Sequence, residues 1–82
     1  MGLASRMDLR DVFATNLRRL RHAKDLSQEE LADLAEINRT YLSKLETGAS
    51  YAGLEIIGRL ADVLGIEAAE LLNRPSKRRR QR

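Results

Sequence analysis

Cysteine is absent from this 82-residue sequence, and proline and histidine occur once each. The lack of cysteine excludes a disulfide framework, a thiolate metal site and a cysteine nucleophile. No apolar run approaches the roughly 20 residues that a membrane-spanning helix needs. The first ten residues, MGLASRMDLR, contain no apolar core of signal-peptide length. We therefore expect a cytoplasmic protein without membrane attachment.

Patterns that carry catalysis or bind cofactors are also missing from the sequence. His22, the only histidine, lies among basic residues, a setting typical of a solvated helix face. There is no glycine-rich phosphate-binding loop and no carboxylate pair at metal-ligand spacing. We expect no catalytic residue, metal, cofactor or small-molecule ligand, and the composition argues against an enzyme.

Charge is distributed unevenly along the chain. The formal net charge is +3, but residues 74–82 contain six of the 15 Lys and Arg residues and no acidic residue. Residues 1–73 therefore hold nine basic side chains against twelve acidic ones. The isoelectric point of about 9.8 reflects the tail, so a nucleic-acid-binding function would need a local basic face on the folded part.

Hydrophobic periodicity predicts an all-α fold. A chain of this length forms one small domain that is only marginally stable alone, so dimerisation is a common way to bury more surface. We expect the domain over residues 9–73, between an N-terminal extension (1–8) and a basic, disordered tail (74–82). Apolar residues recur at three- and four-residue spacing in five segments, at about 9–24, 27–35, 38–48, 54–64 and 67–73.

The apolar stripes of these segments predict the core. In the first helix the arginines, including Arg18 and Arg21, lie largely off the stripe and are expected to face solvent or a phosphate backbone. In the fourth helix the inward stripe is predicted to consist of Leu54, Ile57, Leu60, Ala61 and Leu64.

Capping residues mark the ends of the second and third helices. Ser27 and Glu30 form a capping-box pattern, in which each side chain accepts from the backbone amide of the other. Asn38 is a favourable N-cap for the third helix, and Gly48 is a suitable C-terminal stop. The pattern predicts two short helices joined by a tight turn, a helix-turn-helix at about 28–46.

The outward side chains of the third helix indicate contact with DNA. Ala32 provides a small residue where the two helices cross, and Leu42 and Leu45 face inward. A helix with an exposed, donor-rich first turn is able to enter the major groove of DNA by its N-terminus. The outward residues are Arg39, Thr40, Tyr41, Ser43 and Lys44.

Two stretches of sequence, LSQEELADLAEINRTYLSKLETG and LEIIGRLADVLGIEAAELL, resemble the Cro/C1-type (XRE) helix-turn-helix family. The resemblance covers about residues 12–72 and implies a compact five-helix bundle of the lambda-repressor-like type. It also implies a transcriptional regulator that binds double-stranded DNA as a homodimer. Residues 38–43, NRTYLS, are similar to the recognition helix of restriction-modification controller proteins, which are small dimeric regulators of their own operons.

The resemblance implies roles for individual side chains at the DNA. Arg39 would read guanine, because arginine is the most common specific reader of that base. Gln28 and Lys44 each suit either the phosphate backbone or a base edge, and Tyr41 suits either a phosphate or the edge of the domain. The base-contacting set is Arg39, Thr40, Ser43 and Lys44, and the backbone-contacting set is Gln28, Tyr41 and Arg18.

Structural and dimer contacts are implied in the same way. Glu46 matches a recurrent glutamate of the family and is expected to pair with a basic residue of the first helix. The fourth and fifth helices carry the dimer contact in the family, which indicates Ile66, Leu71 and Leu72; alternatively, these side chains close the core. At Glu36 the family often has glycine, and a left-handed residue other than glycine costs roughly 1–2 kcal/mol.

Two functions are compatible with these features. The first is a sequence-specific regulator that binds a two-fold symmetric operator as a homodimer, with autoregulation as one role. The alternative is an antitoxin-like or other protein-interaction module with secondary DNA binding. Such modules usually carry an extra segment for the partner, and only about ten residues lie outside the predicted body at either end, which favours the regulator.

Overall fold

The computed structural model describes residues 8–74, which contain four α-helices and one short 3₁₀ helix. These residues contain no β-strand, so the all-α prediction is confirmed for this part of the chain. None of the described helices is long and apolar enough to cross a membrane. Helix α1 spans Leu9–Ala23, α2 spans Gln28–Ala35, α3 spans Arg39–Thr47, α4 spans Leu54–Leu64, and the 3₁₀ helix spans Ala68–Leu72.

The capping signals of α2 and α3 are confirmed. The Glu30 amide donates to Ser27 Oγ (3.0 Å), and the Ser27 amide donates to Glu30 Oε1 (2.8 Å). Asn38 caps α3, and Gly48 and Gly65 end α3 and α4 in left-handed conformations with φ of 80° and 69°. Local sequence therefore determines where these helices begin and end, because each signal satisfies backbone groups that a helix terminus leaves unpaired.

Asp8 caps α1, although the sequence analysis assigned it to the N-terminal extension. Its Oδ1 accepts from the Arg10 amide at 2.8 Å and from Arg10 Nε at 3.4 Å. The bond from the Arg10 amide is the main reason that the pKa of the Asp8 carboxyl is lowered. The folded part thus includes residue 8, whereas the rest of the predicted extension (1–7) and most of the predicted tail (75–82) lie outside the described residues.

One apolar core lies between the helices. Helix α1 packs against α3 and the 3₁₀ helix, and α4 packs against α2 and the 3₁₀ helix. The leucines that are fully buried in this core are Leu17, Leu31, Leu42, Leu45, Leu60, Leu64 and Leu71. Their burial provides most of the favourable free energy of folding, at about 1.5–3 kcal/mol for each side chain.

Leu54 does not belong to this core, and the prediction that it faces inward is wrong. Its exposed fraction is 85%, and its neighbours Gly53 and Glu55 are exposed as well. Helix α4 therefore begins about one turn before the segment that packs on other helices. Periodicity identifies the side of a helix that faces the core, but not where along the axis the core ends.

The fifth predicted helix is a 3₁₀ helix at Ala68–Leu72 rather than an α-helix, so the five-helix prediction is corrected to four α-helices among the described residues. The segment is only five residues long, and short helical connectors of this length are frequently 3₁₀. The buried Asn16 Nδ2 donates to the carbonyls of Leu71 (2.9 Å) and Asn73 (2.7 Å) at its C-terminal end. Asn16 thereby ties the C-terminal segment to α1.

Candidate nucleic-acid interface

Helices α2 and α3 are joined by a three-residue turn, residues 36–38. Glu36 is left-handed (φ 59°, ψ 47°), and the Ile37 amide donates to the Ala32 carbonyl at 2.9 Å, so the chain reverses direction directly after α2. The position where the family often has glycine is therefore left-handed here as well. Arg59 Nη1 of α4 donates to the Glu36 carbonyl (3.1 Å) and holds the turn in place.

Replacing Glu36 by glycine is expected to stabilise the protein by about 1 kcal/mol, because glycine adopts this conformation without Cβ strain. The bond from Arg59 is retained, since it uses the backbone carbonyl. The control is Asp33→Gly on the exposed side of α2, which is expected to destabilise by roughly 0.3 kcal/mol, because aspartate is only slightly better than glycine in a helix. Denaturant unfolding measures both, and a lowered free energy of unfolding for Glu36→Gly would contradict the strain argument.

The inward side of α3 fixes the position of this helix. Leu42 and Leu45 are fully buried, as predicted, and pack in the core. Across the crossing, Ala32 and Ala35 of α2 are 98% buried and allow the two helices to approach closely. Because the inner face of α3 is packed in the core, its outer face points away from the core in a fixed direction.

The outward side of α3 carries the predicted base-contacting residues. Arg39, Thr40 and Lys44 are exposed and Ser43 is half-buried. Their spacing places them on one stripe of the helix, within which there is no acidic side chain. Arg39, Thr40 and Ser43 line a cleft of about 220 Å³ together with Gln28 at the start of α2. Lys44 lies on the same stripe but outside this cleft.

The first turn of α3 borders the cleft. Asn38 Oδ1 accepts from the amides of Thr40 (2.7 Å) and Tyr41 (3.3 Å), which orders the start of the helix. Arg39 is the first residue of α3 and lines the cleft. The positive end of the helix dipole therefore borders the cleft, an arrangement that favours anionic or acceptor-rich ligands.

Tyr41 makes a structural contact instead of pointing into the cleft. It is half-buried and packs against the core, and its hydroxyl donates to the Tyr51 carbonyl at 3.1 Å. A phenol has a single proton to donate, so in this structure Tyr41 has no proton for a phosphate oxygen. Of the two interpretations drawn from the sequence, a contact at the domain edge is the one that the structure contains.

Arg18, predicted to contact phosphate, caps the C-terminal end of α3. Its guanidinium Nη1 donates to the carbonyl of Glu46, near the end of that helix. A cation in the last turn of a helix is stabilising because it faces the negative end of the dipole. Arg18 therefore lies at the opposite end of α3 from Arg39, and no local pattern in the sequence predicts this structural role.

Glu46 is buried and pairs with Arg21, which confirms the predicted ion pair with the first helix. Arg21 Nε donates to Glu46 Oε2 (2.7 Å), Arg21 Nη2 donates to Glu46 Oε1 (2.9 Å), and Arg21 Nη1 donates to the Leu26 carbonyl (2.9 Å). The expectation that Arg21 faces solvent is wrong, since only 9% of it is exposed. A signal was present: Arg21 follows Leu17 by four residues, and Glu46 follows Leu42 by four, so both continue inward stripes.

The residues predicted for a dimer contact differ in accessibility. Leu71 is fully buried in the core of its own chain, so it has no surface to offer a second copy, and it is corrected to a core residue. Ile66 is half-buried, and Leu72 is 39% exposed. Only these two retain surface on which a partner could pack.

Comparison with known proteins places the chain in a family. Its sequence matches the helix-turn-helix domain family over residues 12–73. A hypothetical transcription factor of Neisseria meningitidis is 41% identical over 76 residues, which cover 93% of this chain and 72% of that protein. Control protein C.SmaI of Serratia marcescens is 32% identical over 75 residues, which cover 92% of this chain and 89% of that protein.

A solved structure is similar to this chain in both sequence and fold. The crystal structure of the restriction-modification controller protein C.AhdI from Aeromonas hydrophila has a TM-score of 0.74 and 44% identity, covering 76% of this chain and 94% of that chain. The family match includes α2, the turn and α3 in full, together with the α1 and α4 residues that hold them. The chain belongs to the Cro/C1-type (XRE) helix-turn-helix family of DNA-binding transcriptional regulators.

Proposed function

We propose that this protein acts as a homodimer that recognises a two-fold symmetric operator through α3 and regulates its own gene. The observation that carries the proposal is the outward stripe of α3, on which donor side chains and no carboxylate border the cleft shared with Gln28. Similarity to a control protein and to a restriction-modification controller protein supports the regulatory role.

The base contacts are assigned by the chemistry of the stripe. Arg39 donates two hydrogen bonds to O6 and N7 of a guanine in the major groove. The Thr40 methyl group packs on a thymine methyl group, and the Ser43 hydroxyl bonds a base edge within the same cleft. Lys44, farther along α3, donates to the next base.

The backbone contacts position the helix without reading sequence. Gln28 retains one amide N–H after its bond to Glu46. Arg18 retains N–H groups beyond the one donated to the carbonyl of Glu46. We assign these two residues to phosphate oxygens, and Tyr41 is left out because its proton is donated within the protein.

Selection of bound duplexes from a random pool at about 0.15 M salt tests this function. We expect enrichment of a two-fold symmetric sequence whose half-sites are about 34 Å apart, because a dimer presents two α3 helices to successive major grooves. Binding without enrichment of any sequence would contradict the proposal and would direct attention to a protein partner. Repression or activation of a reporter behind the selected sequence, placed before this gene, then tests autoregulation.

An apolar face on the side of α1 and α4 supports the homodimer. We call it the α1/α4 face: it has an apolar cleft of about 210 Å³ lined in part by Phe13, Ala52 and Ile57. Apolar patches of this kind on a small protein are commonly interaction sites. Leu54 (85% exposed) lies on α4, three residues before Ile57. The exposed large side chains that line the cleft are Leu9 (48%), Tyr51 (68%) and Leu72 (39%).

Charges around the α1/α4 face favour a second copy of the chain as its partner. Asp8 and Arg10 form an ion pair at one edge, where Arg10 also lines the cleft, so the two signs are balanced there. A surface made for an acidic or basic partner would carry one sign. A balanced surface suits a two-fold contact, in which each patch meets an identical one.

Gly58, on α4, also suits the α1/α4 face to contact with a helix of a second copy, because it has no side chain. It lies one turn after Leu54 in the middle of α4 and is half-buried, and a Cβ added there would meet no atom within 4 Å beyond its chain neighbours and the backbone of its own helix. Glycine inside a helix is unfavourable by about 1 kcal/mol relative to alanine, and nothing within the described chain requires it. The gap at Gly58 would accept the exposed Leu54 of a second copy, and the two-fold relation would repeat the contact.

Substitutions on this face are expected to separate folding from assembly. Leu54→Ala should raise the dimer dissociation constant at least tenfold, because a large apolar side chain is lost twice in a symmetric contact. Gly58→Gln should do the same by filling the gap, yet raise the melting temperature of dilute monomer by about 4–8 °C through better helix propensity. Sedimentation equilibrium and thermal unfolding measure the two effects.

Leu34→Ala provides the matched control for these variants. Leu34 is also an exposed leucine (60%), but it lies on α2 and does not line the apolar cleft. Its replacement should leave the dissociation constant unchanged. If the wild-type protein is a dimer but neither Leu54→Ala nor Gly58→Gln raises its dissociation constant, the assignment of this surface is wrong, although the homodimer itself is not.

A further inference from the structure

Gln28, at the edge of the DNA-facing cleft, is held by a buried carboxylate. Its Nε2 donates to Glu46 Oε1 at 3.0 Å, and the Glu46 side chain is itself 98% buried. Arg21 anchors Glu46 with two hydrogen bonds. A continuous chain of bonds therefore runs from α1 through α3 to the first residue of α2.

The chemistry of this chain allows only one orientation of the Gln28 amide. An ionised carboxylate accepts hydrogen bonds and donates none. Turning the amide over would bring the Gln28 carbonyl oxygen against Glu46 Oε1, two acceptors in contact. The nitrogen therefore faces inward to Glu46, with one N–H donated there and the second N–H left for a ligand.

We propose that Glu46 is a positioning residue for DNA binding, which holds Gln28 ready to donate its second N–H to a phosphate oxygen. This rests on the proposed function, in which the cleft faces the duplex. A free glutamine side chain has several rotamers and two amide orientations, and it loses this freedom when it binds. In this protein the loss occurs on folding, so the phosphate contact is made by a side chain that is already ordered.

A comparison of Gln28→Ala in two backgrounds tests the proposal. The first background is wild type, in which we expect about tenfold weaker binding to the selected duplex. The second is Arg21→Met/Glu46→Met, which removes both buried charges together and is expected to remain folded. There Gln28 is no longer held, and its replacement should change the dissociation constant less than about twofold. Equal losses in the two backgrounds, or no loss in wild type, would overturn the proposal.

Solution NMR of the free protein gives a second test that needs neither the double variant nor DNA. The side-chain amide of Gln28 should have an order parameter near the rigid value of about 0.85, whereas a value below about 0.6 would overturn the proposal. Failure of the proposed function has a different signature. In that case no duplex would be selected, while the Gln28 amide would still be rigid.

Discussion

Arg39→Ala is expected to weaken binding to the selected operator by about 1–3 kcal/mol, a loss of roughly 5- to 150-fold, and to relax the preference at one base pair of each half-site. Arg39 is exposed at the first turn of α3 and lines the cleft with Thr40 and Ser43. A bidentate arginine contact distinguishes guanine from other bases, so its loss falls on one position. Competition with duplexes that vary at single positions measures both the affinity and the preference.

Lys24→Ala is the charge-matched control for this experiment. Lys24 is exposed at the end of α1 and does not belong to the stripe on α3. Its removal should reduce affinity slightly and equally on all sequences, through the general electrostatic attraction to phosphate. If Arg39→Ala also weakened binding equally on every duplex, the assignment of Arg39 as a base reader would be wrong.

Removal of Glu46 is expected to have the largest effect on stability. Glu46→Ala should lower the free energy of unfolding by about 3–5 kcal/mol, because it leaves the Arg21 charge buried without a partner. The side chains of Arg21 and Glu46 are 11% and 2% exposed, so water cannot easily replace the lost bonds. Such a loss is a large fraction of the total stability of a small domain. Urea unfolding followed by circular dichroism measures it.

Two comparisons show whether this effect comes from the buried charge. Glu29→Ala, an exposed carboxylate of α2, should change stability by no more than about 0.5 kcal/mol. Arg21→Met/Glu46→Met should recover most of the loss, since a buried ion pair is often replaced by apolar residues at little cost. Equal destabilisation by Glu46→Ala and by the double variant would mean that packing at this site, rather than the unpaired charge, determines the outcome.

The α2–turn–α3 unit was predictable because its signals are local. Ser27 and Glu30, three residues apart, satisfy each other's amides wherever α2 lies in the fold. Asn38 similarly bonds amides two and three residues ahead. Sequence was therefore sufficient to identify this unit and the stripe of Arg39, Thr40, Ser43 and Lys44.

Errors arose where a side chain finds a partner far along the chain. Arg21 was expected in solvent but pairs with Glu46, 25 residues away. For Tyr41 the sequence left a phosphate and the domain edge open, and the structure contains the contact at the edge, with the Tyr51 carbonyl. The contact of Asn16 with Leu71, 55 residues away, leaves no periodic or capping pattern that sequence analysis could recognise.

Local sequence was enough to define α2 and α3, their caps and the outward stripe of α3, because a helix needs only partners within about one turn. Packing of the whole chain decided which charged side chains are buried, where the core ends along α4, and which residues hold Gln28. These outcomes depend on atoms that approach only after the helices assemble. Leu54 and Leu71 illustrate the difference: both belong to apolar stripes in the sequence, yet in the folded chain one is 85% exposed and the other is fully buried.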